Sequence, residues 1–388
     1  MRTFQLVPLL ASLLAVRLGS AAPTGLKCIV ATTNGGNDTD NALSAFSRCQ
    51  NGGAVIFSAN SSYNIYSNLN INNLKDVDIV IDGDVVFPYN DGKWDLKRGA
   101  YFSIQGFNVH ISGHGSMSSD GQRWWDNRTE LSLVYSLLFS ISVDGGSLKD
   151  VTFKNSAAAN VGMRDTSNFK VSRITVEAIS NSTHPPRNTD GIDMSRGSNV
   201  SIHDVTILNG DDCIAIGGGA SNVDIRRVHC GNICHGISIG SIGAPGSPNG
   251  TLSTVSNVHF EDVSLHGCTN AIRLKSWATP VVGAIRNVTY SNITLEEVGF
   301  AITIDQNYGV GSCPTCVKSH SMIQIEDFKV SGVRGTTTQG VTLDFSAAMP
   351  ATDVVFENID IAGPTLSSNA KIHCGNTVGS NFTGIACP

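Results

Sequence analysis

From Asn168 onward the chain runs in short stretches of alternating apolar and polar residues, and most of them restart on an asparagine. The stretches read Asn168-Phe-Lys-Val-Ser-Arg-Ile-Thr-Val, Asn199-Val-Ser-Ile-His-Asp-Val-Thr-Ile, Asn222-Val-Asp-Ile-Arg-Arg-Val, Asn257-Val-His-Phe-Glu-Asp-Val-Ser-Leu and Asn287-Val-Thr-Tyr-Ser-Asn-Ile-Thr-Leu. A drifting version continues at Met322-Ile-Gln-Ile-Glu-Asp-Phe-Lys-Val and Asp353-Val-Val-Phe-Glu-Asn-Ile-Asp-Ile. The five asparagines are 31, 23, 35 and 30 residues apart. Alternation with period two predicts strands, and the Gly and Asn between the runs predict bends. No long stretch carries a 3.6-residue period. Repeats of this size, made of short strands without helices, predict an all-β fold: a right-handed parallel β-helix, a solenoid of stacked coils. A propeller is the competing architecture, but its blades need about 40 residues and bring aromatic signatures that are missing here.

Four motifs recur in phase with this repeat: Asn188-Thr189-Asp190, Asp211-Asp212, His235-Gly236 and Arg273-Leu274-Lys275. Stacked coils lie about 4.8 Å apart, so Asp190 and Asp211 are expected on neighbouring coils, with His235 and then Arg273 beyond them. Tyr308, in Asp305-Gln-Asn-Tyr308-Gly, follows on the next. Three carboxylates, an imidazole and two cations on one face suit hydrolysis of an acidic polysaccharide. Such a reaction needs one protonated carboxyl at the leaving oxygen and one carboxylate for water or carbon. Three crowded Asp side chains cannot all ionise cheaply, so one is expected to hold its proton into the acidic range. Asp211 and Asp212 would face opposite ways on a regular strand, which predicts a bend there, with Gly210 as its source. Arg273 and Lys275 flank Leu274, so both should point outward while Leu274 enters the core.

Length and charge narrow the picture. The 388 residues include 40 Gly, with 15% charged and 7% aromatic residues, and no linker or low-complexity tract divides them. One domain over residues 23–388 is expected. The stack needs covers at both ends: a short N-terminal capping helix from Asp40, its N-cap, to a stop at Gly52-Gly53, and a C-terminal tail between Cys374 and Cys387. Net charge is −6, so a polyanion must be held by local cations rather than by the overall field. No basic stripe with stacking aromatics is visible, which argues against nucleic acid.

Residues 1–22 resemble a secretory signal peptide, with an apolar run from Leu6 too short to span a membrane. Ten Cys and nine Asn-x-Ser/Thr sequons (Asn37, Asn60, Asn127, Asn181, Asn199, Asn249, Asn287, Asn292 and Asn381) fit a secreted, extracellular glycoprotein. Local spacing pairs Cys28 with Cys49, Cys213 with Cys230 and Cys374 with Cys387. Cys234, Cys268, Cys313 and Cys316 stay unassigned, although in a secreted β-helix Cys313-x-x-Cys316 suits a structural bridge better than redox chemistry. No zinc-type motif is present.

The ordered set Asn-Thr-Asp, Gly-Asp-Asp, Cys-His-Gly-Ile-Ser-Ile-Gly-Ser and Arg-x-Lys resembles the polygalacturonases of glycoside hydrolase family 28. Asp120-Gly-Gln-Arg-Trp124-Trp125-Asp resembles the family's Asp-Gly…Trp-Trp segment. The resemblance implies inverting hydrolysis of α-1,4 links in polygalacturonan, the backbone of pectin, with no cofactor or metal, by a monomer. It gives Asp211 the role of general acid and Asp190 with Asp212 that of the water-activating pair. His235 becomes the histidine beside the acid, and Asn188, Arg273, Lys275 and Tyr308 become substrate-binding. Leu274 departs conservatively from the common Ile. Thr183-His-Pro-Pro-Arg187 and Trp277 resemble the exo-acting branch and the xylogalacturonan hydrolases. Arg273 favours unsubstituted galacturonan over xylogalacturonan, and Asn-Thr-Asp argues against rhamnogalacturonan. The loop Ala244-Pro-Gly-Ser-Pro-Asn-Gly-Thr could wall off one end of the cleft. Exo action is therefore expected, with endo-polygalacturonase and xylogalacturonan hydrolase as alternatives; pectate lyase and a silent polysaccharide-binding β-helix are the readings from other classes.

Overall fold

Successive coils pair in parallel and in register, so the chain winds into a parallel β-helix. The computed structural model describes residues 25–89, 99–127, 136–363 and 370–387. The expected signal segment 1–22 lies outside them. Among the described residues no helix is long and apolar enough to cross a membrane.

The register explains the repeat. On one face Val200, Val223, Val258, Val288 and Phe328 stand opposite one another on consecutive coils, as do Ile202, Ile225, Phe260, Tyr290 and Val330. All are at most 2% exposed. Identical inward positions thus stack into columns, and Phe260 lies flat on Tyr290 with ring centroids 4.5 Å apart. Burial of these columns is the main stabilising term.

The asparagines mark a corner. Asn168, Asn199, Asn222, Asn257 and Asn287 all have φ between 51° and 58°, the left-handed region that Asn tolerates better than other side chains. Their carboxamides form a ladder. Each donates its Nδ2–H to the Oδ1 of the asparagine one coil earlier at 2.8–3.2 Å, and Asn168 donates to Asp144 at 2.6 Å. The amide nitrogens of the sequon residues Asn199 and Asn287 are thereby engaged, and that of Asn292 donates to Asp262.

Both ends are covered. The helix Thr39–Cys49 buries Ala42, Ala45, Phe46 and Cys49, and Phe46 meets Phe102 edge-on at 5.6 Å. It starts before Asp40, whose expected N-cap place is taken by Asp38. Asp38 does not cap; its two oxygens accept Thr33 N–H and Asn64 N–H and so close the entry loop, while Asn37 accepts the N–H of Thr39. A second short helix, Gly121–Asp126, carries Trp124 and Trp125 and is too brief to show in the sequence period. At the far end the strand Phe382–Thr383 pairs with Val354–Val355, and Phe382 stacks on Phe345. All ten cysteines are bridged: the three local pairs as expected, and the four left unassigned as Cys234–Cys268 across adjacent coils and Cys313–Cys316.

The ladder yields a stability prediction. Asn222→Gly keeps the left-handed corner but loses two ladder hydrogen bonds, and should cost about 1–2 kcal/mol in urea unfolding. Asn222→Ala should cost roughly 1 kcal/mol more, because Ala resists that backbone region. Equal losses for the two variants would show that corner geometry contributes nothing.

Candidate active site

Five strands build the floor of a cleft: Val161–Arg164, Ile192–Ser195, Ile214–Ile216, Ile237–Ile242 and Asn270–Trp277. Ile192, Ile214, Ile237 and Ile272 stack inward, each 0% exposed. The alternate positions face out, and there Gly162, Asp193, Ala215, Ser238 and Arg273 form one column. Asp190 precedes the second strand, Asp211 and Asp212 precede the third, and His235 precedes the fourth. The expected clustering is therefore present in space.

Asp211 and Asp212 lie between strands, which is how both reach the site. Asn209 ends one strand and Ile214 begins the next. Gly210 is required there for lack of room: a Cβ on it would sit 2.0 Å from the Pro186 carbonyl oxygen. Its φ is ordinary, so flexibility is not its contribution. Asp211 accepts the N–H of Asp212 at 2.8 Å and meets His235 Nδ1 at 2.8 Å.

The four acids of the cleft are tuned differently. Burial, followed by the charges of Asp193, Asp211 and Asp212, pushes the Asp190 carboxyl well above the usual range. Asp193 is pushed up to about 7 by burial and by the charges of Asp212 and Asp211, against a hydrogen bond with Asp190. For Asp211 burial is the largest influence and acts upward, but the hydrogen bond and charge of His235 outweigh it and hold the carboxyl below its ordinary value. The raised proton affinity that crowding demanded falls, in the free site, on Asp190 and its neighbour Asp193 rather than on Asp211. Asp212 is only 2% exposed. Lys275 Nζ donates to it at 2.6 Å and Ser238 at 2.8 Å, and Arg273 stands 3.8 Å away.

Lys275 departs from its expected place in open cleft. It is on the cleft face while Leu274 is buried, but it is itself only 7% exposed and its ammonium is spent on Asp212. Arg273 stays partly exposed, and Tyr308 lies with its ring centroid 6.0 Å from Lys275 Nζ and packed edge-on against Trp277. Asp211, Asp212 and His235 bring metal-donor atoms within 4.8 Å of one another. The ammonium already seated on Asp212 supplies the positive charge that a divalent cation would bring.

Two recesses flank these groups, and Asn188 borders both. One, of about 520 Å³, is floored by small residues including Ala158, Ala159 and Gly162 and contains Asp190, Asp193 and Arg164. The other, of about 440 Å³, holds Asp211 and His235 against a wall of Pro185, Pro186 and Arg187. The segment leading to that wall is pinned by the short Trp-Trp helix: Gln122 and Asp126 bind Ser182, and Gln122 also accepts the N–H of Asn181. The loop 244–251 lines neither recess; Asn249 instead accepts the N–H of Val282.

The model of glycosyl hydrolases family 28 matches residues 49–386. This chain belongs to glycosyl hydrolase family 28. It is 30% identical over 327 residues to exopolygalacturonase X of Aspergillus niger, covering 79% of this chain and 74% of that one. It is 28% identical over 380 residues to the exopolygalacturonase of Cochliobolus carbonum, covering 91% and 84%. Its fold matches the crystal structure of endo-xylogalacturonan hydrolase from Aspergillus tubingensis with a TM-score of 0.78, at 24% identity over 93% of this chain and all of that one. The polygalacturonase of Erwinia carotovora gives 0.69 at 24% identity, over 95% of this chain and all of that one.

The cleft of this family 28 glycosidase also contains residues that the sequence motifs do not mark. Asp193 stands three places after Asp190 in Asp190-Gly-Ile-Asp193, on the outward phase of its strand, and that phase was the available signal. Asn160 and Asn209, both fully buried, act from below. Asn160 donates to the carbonyls of Thr189 and Asp190, and Asn209 to those of Thr189 and Asp212. Thr189 is itself buried and accepts the N–H of Gly210. Nothing in the sequence distinguishes these inward amides from ordinary turn residues.

The Asp212–Lys275 pair generates a test. Lys275→Met leaves a buried carboxylate without its ammonium and should destabilise the fold by about 3–5 kcal/mol. Adding Asp212→Asn should recover most of that loss in thermal or urea unfolding. An unchanged double mutant would mean that the two side chains do not share one desolvated pair.

Proposed function

We propose that this glycosidase hydrolyses the α-1,4 bonds of polygalacturonan with inversion, removing sugars from the chain end. The observation that carries the reading is the split site: Asp211 with His235 in one recess, Asp190 with Asp193 in the other, and Arg273 beside them. Inversion needs an acid on one side of the bond and a base with room for water on the other. Asp211 is the acid. A sugar closing over it adds to the burial that already raises its proton affinity, and the proton passes to the leaving oxygen as that bond breaks. Asp190, once ionised, takes a proton from water attacking the anomeric carbon, and Asp212, held by Lys275, steadies the charge behind it. Arg273 and Tyr308 face the leaving sugar, and Asn188 sits between the two sugars. The end-acting preference rests on the exopolygalacturonase relatives and on the Pro185–Pro186 wall. Secretion is proposed from the signal-like residues 1–22 and the fully bridged cysteines.

Product analysis on polygalacturonate tests this. Free galacturonate should be the sole early product, saturated at its end and formed equally in the presence of a chelator; an early ladder of oligomers would mean endo action, and unsaturated ends would mean a lyase. Asp211→Asn should fold normally yet lose about 10³-fold or more in kcat; substantial residual turnover would remove it as the acid.

The pH profile follows from the shifts. In the complex the bound sugar has raised Asp211, so the low-pH limb belongs to the base, and kcat falls as pH drops through the raised Asp190 range. Asp193→Asn removes a neighbouring acid while leaving a donor for Asp190, so the acid limb of kcat should move to lower pH. An unmoved limb would uncouple Asp193 from the base.

A further inference from the structure

Arg273, the assigned cation that faces a sugar, serves the leaving side of the scissile bond. On the proposed reading, Asp211 protonates the leaving oxygen, so the leaving sugar occupies its recess and the released sugar occupies the recess of Asp190. A galacturonate there carries its carboxylate into a space that already holds Asp190 and Asp193. Among the residues lining that recess the one cation is Arg164.

We propose that Arg164 receives the carboxylate of the terminal, released galacturonate, and so selects an acidic sugar at the chain end. Arg164 closes the strand Val161–Arg164, one coil before Asp190, and pairs with Ser195. Its outward column continues through Ser195, Gly217 and Gly240 to Lys275, because Met194, Ile216, Ile239 and Leu274 stack in register just before them. The four rung steps between Arg164 and Lys275 span about 19 Å of trough, and the side chains between are a hydroxymethyl and two hydrogens. Sugar rings can lie along such a floor. Arg273 leans to within 3.8 Å of Asp212 beyond the acids, and Arg164 stands on their other side, so the two arginines bracket the four carboxylates.

The Arg164 side chain is exposed and available. Among the described residues it forms no ion pair: the adjacent acid Asp165 is taken by Arg196, whose Nε lies 2.8 Å from Oδ1. Its backbone carbonyl accepts from Ser142 Oγ at 2.7 Å. Gly162, two places earlier, keeps the recess open, since a Cβ there would meet Leu137 at 2.4 Å. A planar guanidinium facing a carboxylate offers a two-point contact that lysine cannot reproduce.

The proposal rests on the galacturonan reading, and the experiment separates the two. Compare wild type, Arg164→Ala and Arg164→Lys on trigalacturonate and on the same trimer with its non-reducing sugar replaced by galactose. Arg164→Ala should lower kcat/KM on trigalacturonate about 10- to 100-fold, chiefly through KM. On the neutral-ended trimer wild type and Arg164→Ala should be equal, and Arg164→Lys should fall between them on trigalacturonate. A loss of the same size on both trimers, or none on either, overturns the assignment of Arg164. A wild type that cleaves no galacturonide overturns the functional reading itself.

Discussion

In-register hydrogen bonding between successive coils is the constraint from which the rest of this protein follows. Ile192, Ile214, Ile237, Ile272 and Ile302 are far apart in the chain yet occupy one inward column, because each strand takes its register from the strand before it. A side chain placed at a given offset from these residues therefore appears at a given place in the cleft. The site needs no folding of distant loops onto one another; it needs only that turns of unequal length return the chain to the same phase. The left-handed asparagine corner does this, since a coil of 23 residues and one of 35 both restart from it.

Stacking of this kind also concentrates charge. Four carboxylates on two neighbouring rungs would repel one another strongly if all were ionised and equally placed. The structure resolves the conflict by giving each a different partner. Lys275 neutralises Asp212, His235 bonds to Asp211, and Asp190 and Asp193, crowded by burial and by the charges of Asp211 and Asp212, keep proton affinity. Separation of acid and base roles thus comes from unequal surroundings of identical residues. Lys275 is central because it reaches Asp212 from a strand two coils away, so the electrostatics and the register support each other.

Much of this was legible in the sequence. The period-two runs restarting on asparagine implied the β-helix, and the phase of Asp190, Asp211, His235 and Arg273 implied a common face. What could not be read was which neighbour each charge would choose. Lys275 looked like an open cation because a strand pattern reports direction, not depth, and nothing local shows that Asp212 lies behind it. Asp193 was overlooked because a single Asp on an outward strand position is usually a solvated residue. Asn160 and Asn209 were hidden for the opposite reason, since buried amides that brace backbone carbonyls leave no periodic trace. The N-cap position falls on Asp38 rather than Asp40, and the Asp38 carboxylate closes the entry loop instead of capping.

The alternation that builds the core also frees the cleft. Along each floor strand the inward residues, such as Val161 and Met163, are fully buried and carry the stability, while Gly162 and Arg164 between them face the recess. Replacing an outward side chain changes one rung of the binding surface and leaves the stacked columns intact. Gly162 and Ala215 keep rungs open, whereas Ser238 and Arg273 fill theirs. A chain of net charge −6 can therefore hold a polyanion, because a few outward cations at chosen rungs act at contact distance, where the repulsion of the distant surface is screened by salt. The same separation explains how one stack can present an acid-rich recess and a histidine-lined one on either side of Asn188 without a change in fold.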